Sequence, residues 1–352
     1  MPTASESATP NLSVKIDGTE LSSAAYSDLI KATVHEDLEA PAMLTLELFS
    51  WDNDAQKITW ADENVFAIGK GVEIQVGYDK PLASIMKGEI TGLELEVEMG
   101  KPPTLTVRGY DRSHRLTRGQ KTRSFAKMSD SDIAARIAQE QGLSISAVKT
   151  KVQLDYVMQY NQTDLDFLRQ RAAAIGYEVI VLDRKLHFRP HQINATSVAT
   201  LKASHDLIDF FPRLTTRTQA GSVEVRGWNP KAKKALIGKA PSKPKAVMGK
   251  STGLATADKA FGKAVVTHVN RPIFTQAEAD QIAAGQLDVM ALGFISGDGT
   301  CYGQPDVRAG QVITIEEIGT RFSGEYYVTS ATHTYSSEGG YRTNFTVRRN
   351  AT

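Results

Sequence analysis

Near its end the chain repeats itself. Residues Gly324 to Arg349, GEYYVTSATHTYSSEGGYRTNFTVRR, follow the pattern of Gly88 to Tyr110, GEITGLELEVEMGKPPTLTVRGY. Both open on Gly-Glu, alternate, pause at Gly and close on Thr-Val-Arg. Three blocks correspond in order: GVEIQV at Gly71 with GQVITI at Gly310, KGEITG at Lys87 with SGEYYVTS at Ser323, and LTVRGY at Leu105 with FTVRRN at Phe345. Their separations, 239, 236 and 240 positions, are nearly constant. Period-two alternation is the signature of half-buried strands. Any two antiparallel meanders share alternation and turn glycines, but ordered blocks with matching spacing favour two related domains. With only two copies and so long a period, a solenoid is excluded. The expected fold is mainly β with α+β: two related antiparallel β-barrel-like domains plus a small α+β domain.

The rest of the chain fits around that repeat. LSVKIDG (from Leu12) alternates into an Asp-Gly turn, and AMLTLELF (from Ala42) sets Leu44, Leu46 and Leu48 on one face against Met43, Thr45 and Glu47. The texture changes near residue 125. SDSDIAARIAQEQG reads as a helix capped by Ser129, with Ile133 and Ile137 on one face and Gly142 as the stop. TDLDFLRQRAAAIG repeats that grammar from Thr163 to Gly176, and YEVIVLDRKLHFRP reads as a hairpin turning at Asp183 to Lys185. TQAEADQIAAGQLDVMALG is a helix with a capping box at Thr275 and Glu278. KAKKALIGKAPSKPKAVMGKSTG has no period and reads as a long exposed loop. The expected division is a first β-barrel tube-like domain over 1–118, a small α+β domain over 119–193, and a second β-barrel tube-like domain over 194–352. The last carries a Lys-rich loop (231–263) and a helix (276–292).

Bulk properties exclude several classes. The 352 residues suit two or three compact units. Lys and Arg number 41 against 40 Asp and Glu, so no global basic field exists to hold nucleic acid or an anionic membrane. A single cysteine, Cys301, excludes an internal disulfide framework and a four-cysteine zinc site. The N-terminus has neither a basic region nor an apolar run, and no stretch is long and apolar enough to span a bilayer. The expectation is a protein made in the cytoplasm without a signal peptide and without membrane insertion.

No Gly-x-Ser-x-Gly elbow, His-Glu-x-x-His or Walker loop occurs, so no catalytic residue, cofactor or metal is expected. His187 and His191 have the spacing of a metal pair, but Pro190 breaks any helix that would align them and no third ligand is near. Asp298 in SGDGT reads as turn chemistry. Trp51, Trp60 and Trp228 read as core or interface anchors, with Trp228 the best candidate for an interface.

The segments DFLRQRAAAIGYEVIVLDRKLHFRP, VEVRGWNPKAKKALIGKA, TQAEADQIAAGQLDVMALGFISGDGTCYGQPDVRAGQVITIEEIG and FSGEYYVTSATHTYSSEGGYRTNFTVRR closely resemble phage late control gene D proteins and, equally, the hub half of VgrG-type spike proteins. The resemblance covers about residues 10 to 350. It implies a structural, non-enzymatic hub of a contractile tail or injection-system baseplate, incorporated into a virion tail or injection particle. It also implies a homotrimer, with a spike protein below, a tail tube ring above and other baseplate proteins around it. A trimer carrying two similar barrels per subunit presents six near-equivalent faces and adapts a threefold spike to a sixfold tube. VgrG-type chains continue beyond this point into further domains, whereas this sequence ends at Thr352. That leaves a separate spike polypeptide or a sequence cut from a longer one.

In that frame Glu94, Glu96 and Glu98 are either a solvated strand face or channel-facing carboxylates that repel passing phosphates. Lys231, Lys233, Lys234, Lys239, Lys243, Lys245 and Lys250 are either a solvated loop or a docking arm for an acidic neighbour. The rival functions are a tail-associated peptidoglycan hydrolase and a carbohydrate-binding tail protein.

Overall fold

The computed structural model describes residues 9–78, 81–229, 232–269 and 272–352, and antiparallel strands dominate it. Thirteen of them form one framework, counting the two-residue strand Thr19–Glu20 that pairs with the first; the other twelve fall into two sets. The first six are β1 (Asn11–Ile16), β2 (Leu29–Asp37), β3 (Met43–Phe49), β4 (Gly71–Gly77), β5 (Ala83–Glu96) and β6 (Thr104–Asp111). The second six are β7 (Ala199–Lys202), β8 (Leu207–Leu214), β9 (Ile295–Tyr302), β10 (Val312–Glu316), β11 (Gly324–Ser336) and β12 (Gly340–Arg349). The first set is ordered β2-β3-β6-β5-β4-β1, and the second β8-β9-β12-β11-β10-β7. Adding six to each label turns one order into the other. Every neighbouring pair within a set is antiparallel except the outermost of the second, where β7 runs parallel to β10 while β1 runs antiparallel to β4.

The registers agree as well as the order. A bulge falls between Ile90 and Gly92 where β5 pairs β6, and between Val328 and Ser330 where β11 pairs β12. Another falls between Leu29 and Lys31 on β2, and between Leu207 and Asp209 on β8. Bulges pin register because the extra residue has no partner. Counting from them, Leu44 opposite Gly109 corresponds to Gly297 opposite Val347. The repeat read from sequence aligns Gly88 with Gly324 and Leu105 with Phe345. The bulges instead align Gly88 with Tyr326 and Leu105 with Thr343. The sequence alignment is two positions out, in opposite senses on the two strands. An even slip leaves every side chain on its own face, so the alternation hid the error.

Each set buries its own core. Val14, Leu44, Leu46, Ile74 and Val107 are fully or almost fully buried in the first, and Ile295, Ile313, Tyr326, Val328 and Val347 in the second. Between the sets lies the α+β unit. Its strands are Lys121–Met128 with Leu154–Gln162, and Ser144–Ala147, Lys185–Pro190 and Tyr177–Leu182 in a second sheet. Its helices are α1 (Asp130–Glu140) and α2 (Asp164–Ala174). Ser129 and Asp132 cap α1 reciprocally, and Thr163 accepts from the Asp166 amide at 3.1 Å to cap α2. The Phe125 and Phe167 rings stack 5.6 Å apart beneath them.

Residues 215–294 depart from the expected division. They interrupt the second set between β8 and β9, where the first set has only a short turn between β2 and β3. Strand Ser222–Asn229 pairs with Lys234–Lys239 and with Val265–His268, and α3 (Gly253–Phe261) and α4 (Gln276–Leu292) complete the insert. Val225, Leu236, Ile273, Ala279 and Ile282 share one hydrophobic cluster with Leu116, Phe125, Leu168 and Phe188. The insert therefore shares its main core with the α+β unit, while Met248 and Leu292 also pack on Val312 and Tyr327 of the second set. The Lys-rich segment is likewise not one long loop. Lys234–Lys239 gains backbone partners from Ser222–Asn229, and Thr252 caps α3 by accepting from the Ala255 amide at 3.2 Å. At α4 the Thr275 hydroxyl accepts from the Glu278 amide at 3.2 Å, but the Glu278 carboxylate accepts from Phe274, one residue before the cap.

Candidate assembly surfaces

The two sets join edge to edge. β11 of the second pairs antiparallel with β2 of the first, from Ser330 opposite Asp37 to Ser336 opposite Lys31. On the core side of this seam Ala32, Val34, Ala331 and His333 are buried. On the other side His35 Nδ1 lies 2.8 Å from Thr332 Oγ1. Arg308, just before β10, clamps the seam. It donates to both Glu36 carboxylate oxygens on β2, one at 2.6 Å, and to the Ser84 carbonyl at 3.2 Å. Burial opposes the Arg308 charge, but Glu36 outweighs it and raises the guanidinium pKa.

Two buried histidines make the fold acid-sensitive. Burial, with the Arg308 charge, pushes His333 down to about 3. Burial, with the Arg348 charge, pushes His191 down to about 4. An unfolded histidine takes its proton near the ordinary 6.5. The stabilisation from keeping both neutral is complete above that value and is lost as pH falls through the folded pKa values. Melting temperature is expected to fall as pH drops from about 6.5 towards 4, and His333→Asn is expected to flatten that slope. A melting series across pH checks both.

The second face of the long sheet is mostly polar. It runs from Arg213 and Asp209 on β8, through Asp298 and Thr300, Asn344 and Thr346, and Ser330 and Thr332, to His35 on β2. It continues through Thr45 and Glu47 to Arg108, and ends at Glu94 and Glu96 on the far edge. Glu94 is exposed there, and Arg108 donates to it at 2.6 and 3.0 Å. Arg108 holds the Glu94 carboxylate below its ordinary pKa. Glu96 ends β5, while Glu98 lies beyond it and pairs with Lys101 at 2.7 Å. The Glu94 end of this face thus carries an ion pair rather than bare carboxylates.

Lys233, Lys234, Lys239, Lys243, Lys245 and Lys250 are exposed along the insert, and Lys231 lies outside the described residues. Trp228 is 58% exposed on strand Ser222–Asn229, whereas Trp60 is buried and donates to Asp28 at 2.9 Å. Asp298 is not in a turn. It sits within β9, where a Cβ on Gly297 would stand 2.7 Å from the Phe210 ring and one on Gly299 2.8 Å from both Phe210 and Phe345. The glycines admit those rings, and period-two reading cannot see rings arriving from other strands. Cys301 is fully buried, and burial raises its thiol pKa.

Among the described residues no group of His, Cys, Asp and Glu is placed to hold a metal, and no helix is long and apolar enough to cross a membrane. His191 lines a cleft of ≈ 730 Å³ with Glu178, Arg169 and Tyr327. Burial raises the Glu178 pKa, yet both its oxygens are engaged, one by Arg189 at 2.9 Å and the other by the Tyr327 hydroxyl. These bonds tie Glu178 to the Lys185–Pro190 strand and to β11, so it holds neighbouring elements together. Sequence reasoning missed two apolar surfaces. Tyr156, Met158 and Tyr160 project together from strand Leu154–Gln162, a run whose period-two spacing was readable. Leu95, Val97 and Phe211 are exposed at the two ends of the long sheet.

Three solved structures share this fold. The 43 kDa tail protein of prophage MuSo2 from Shewanella oneidensis matches with a TM-score of 0.71 at 12% identity, over 97% of this chain and 98% of that one. The tail protein from Neisseria meningitidis MC58 matches with a TM-score of 0.69 at 13% identity, over 97% of both chains. The E. coli c3393 protein, described as a component of the type VI secretion system with similarity to the T4 tail proteins gp27 and gp5, matches with a TM-score of 0.63 at 14% identity, over 96% of this chain and 77% of that one. At these identities the likeness is one of fold. No curated protein matches the chain in sequence. The family model described as the Alg8 N-terminal domain matches residues 6–337, most of the chain, and the chain belongs to that family.

Proposed function

We propose that this chain is the structural central hub of a contractile tail or injection-system baseplate. Three copies form a ring that adapts a threefold spike to a sixfold tail tube. The observation that carries this reading is the repeated strand order, with its coincident bulges, in two sets joined edge to edge within one chain. Three such chains around an axis place six similar sets in a ring. The shared fold with tail proteins supports the same setting. In this reading the continuous polar face lines the channel, with Glu94 and Glu96 on it. The insert lysines meet an acidic neighbour in the baseplate through charge, and Trp228 anchors a subunit contact through its apolar ring. A hub of this kind needs no catalytic group; its work is to hold a large subunit interface under load.

The test is native mass measurement followed by electron microscopy of the particles. A trimer with a threefold ring whose interior approaches sixfold is expected. A protein that stays monomeric at every concentration, alone and with spike and tube proteins, overturns the reading. Clearing of peptidoglycan in a zymogram would favour the hydrolase instead.

A further inference from the structure

The seam inside the chain leaves two strand edges unused. β4 covers β5 only as far as Glu89, so one edge of Gly92–Glu96 has no partner among the described residues. β8 pairs with β9 alone. By the correspondence of the two sets, β5 is the counterpart of β11 and β8 the counterpart of β2, the two strands that form the internal seam. We propose that β5 of one copy pairs antiparallel with β8 of the next, repeating the β11·β2 seam between subunits. The number of copies rests on the trimer proposed above, but the pairing does not.

Carrying the seam register across sets the residues opposite one another. Ala331 opposite Glu36 becomes Leu93 opposite Leu214, and Thr332 opposite His35 becomes Glu94 opposite Arg213. His333 opposite Val34 becomes Leu95 opposite Pro212, and Tyr335 opposite Ala32 becomes Val97 opposite Phe210. Chemistry and exposure agree with this register at Leu93, Glu94 and Leu95, while Thr334 opposite Thr33 becomes Glu96 opposite the exposed Phe211. Leu95 is 46% exposed, while its seam counterpart His333 is 1% exposed beneath β2. Apolar side chains at core-facing positions lie open because the covering strand is missing, and the transferred register gives them Leu214, Pro212 and Phe210. The polar face gains a cross-strand charge pair at Glu94 and Arg213, where the internal seam has its Thr332–His35 contact. The Arg213 side chain is 74% exposed and, among the described residues, its ion-pair contact is Asp298 at 3.8 Å. Pro212 lacks an N–H and removes at most one hydrogen bond. Val97 and Glu98 both fall past the end of β5 at Glu96, so neither the contact of Val97 with Phe210 nor the repulsive pair of Glu98 with Asp209 decides the register. Because the two edges differ, the contact is head-to-tail rather than a twofold dimer, and in the trimer proposed above it closes into a ring.

The experiment introduces Glu94→Cys and Arg213→Cys together in the full chain and treats it with a short bis-maleimide cross-linker. Cys301 is buried and stays out of the reaction. A ladder ending at a covalent trimer is expected from the double variant and none from either single variant. Arg213→Glu, which sets two carboxylates opposite each other, is expected to weaken association roughly tenfold or more while the monomer melts as before. Dimers from Glu94→Cys alone would mean that β5 edges pair with each other, and the proposal fails. A native trimer that the double variant does not cross-link overturns the pairing and leaves the hub reading standing. A chain that is monomeric throughout overturns both.

Discussion

Replacing Arg308 with alanine is expected to cost about 3–5 kcal/mol, because it strands Glu36 as an unpaired buried charge. Glu36 is only 7% exposed, and both its oxygens accept from Arg308. The same change removes the donor to Ser84, so both strands that Arg308 grips are released. Chemical denaturation should show the loss directly. The double variant Glu36→Gln with Arg308→Met should recover most of it, since the expense of breaking such a pair lies mainly in the abandoned partner. If the single variant were nearly neutral, the clamp would carry none of the strength assigned to it.

Gly285→Ala tests the attachment of the insert. Alanine is the better helix former by about 1 kcal/mol, so propensity alone favours the change at this mid-helix position of α4. Packing opposes it. A Cβ there would stand 2.2 Å from the Ile175 carbonyl carbon, 2.5 Å from its oxygen and 2.6 Å from the Gly176 nitrogen. All three are backbone atoms at the end of α2, where Gly176 already holds φ +69°. They cannot rotate aside, so α4 must lift, and the net loss is expected to be about 2–3 kcal/mol. Limited proteolysis should then release the insert before the framework strands. A stabilised variant would show that helix propensity decides and that the close approach is not held.

The sequence exposes these features unequally. Caps and stops at Ser129, Thr163 and Gly176 are legible because a helix end is decided within a few residues. The repeat is legible over β10, β11 and β12, where the chain runs on without interruption. It is hidden at β8 and β9, because residues 215–294 separate them and LIDFFPRL shares only its opening Leu-Ile with LIKATVHED. The strand Lys234–Lys239 was read as loop because its partner and the helix it lies on, not its own alternation, make it a strand. The alternation of LELEVE correctly separates carboxylates from apolar residues. It cannot reveal that Arg108 neutralises Glu94, or that the apolar side lacks a cover, since both depend on what neighbouring strands supply.

The insert between β8 and β9 occurs in only one of the two sets; it shares a core with the α+β unit and also touches the second set, through Met248 and Leu292 against Val312 and Tyr327. In the ring of three chains proposed above, that arrangement would keep six similar walls around the axis and only three projecting lobes at the perimeter. A partner threading the middle would meet sixfold surroundings, and one gripping the outside would count to three. One polypeptide can therefore serve neighbours of different stoichiometry, with the sorting done by how far from the axis each of them binds.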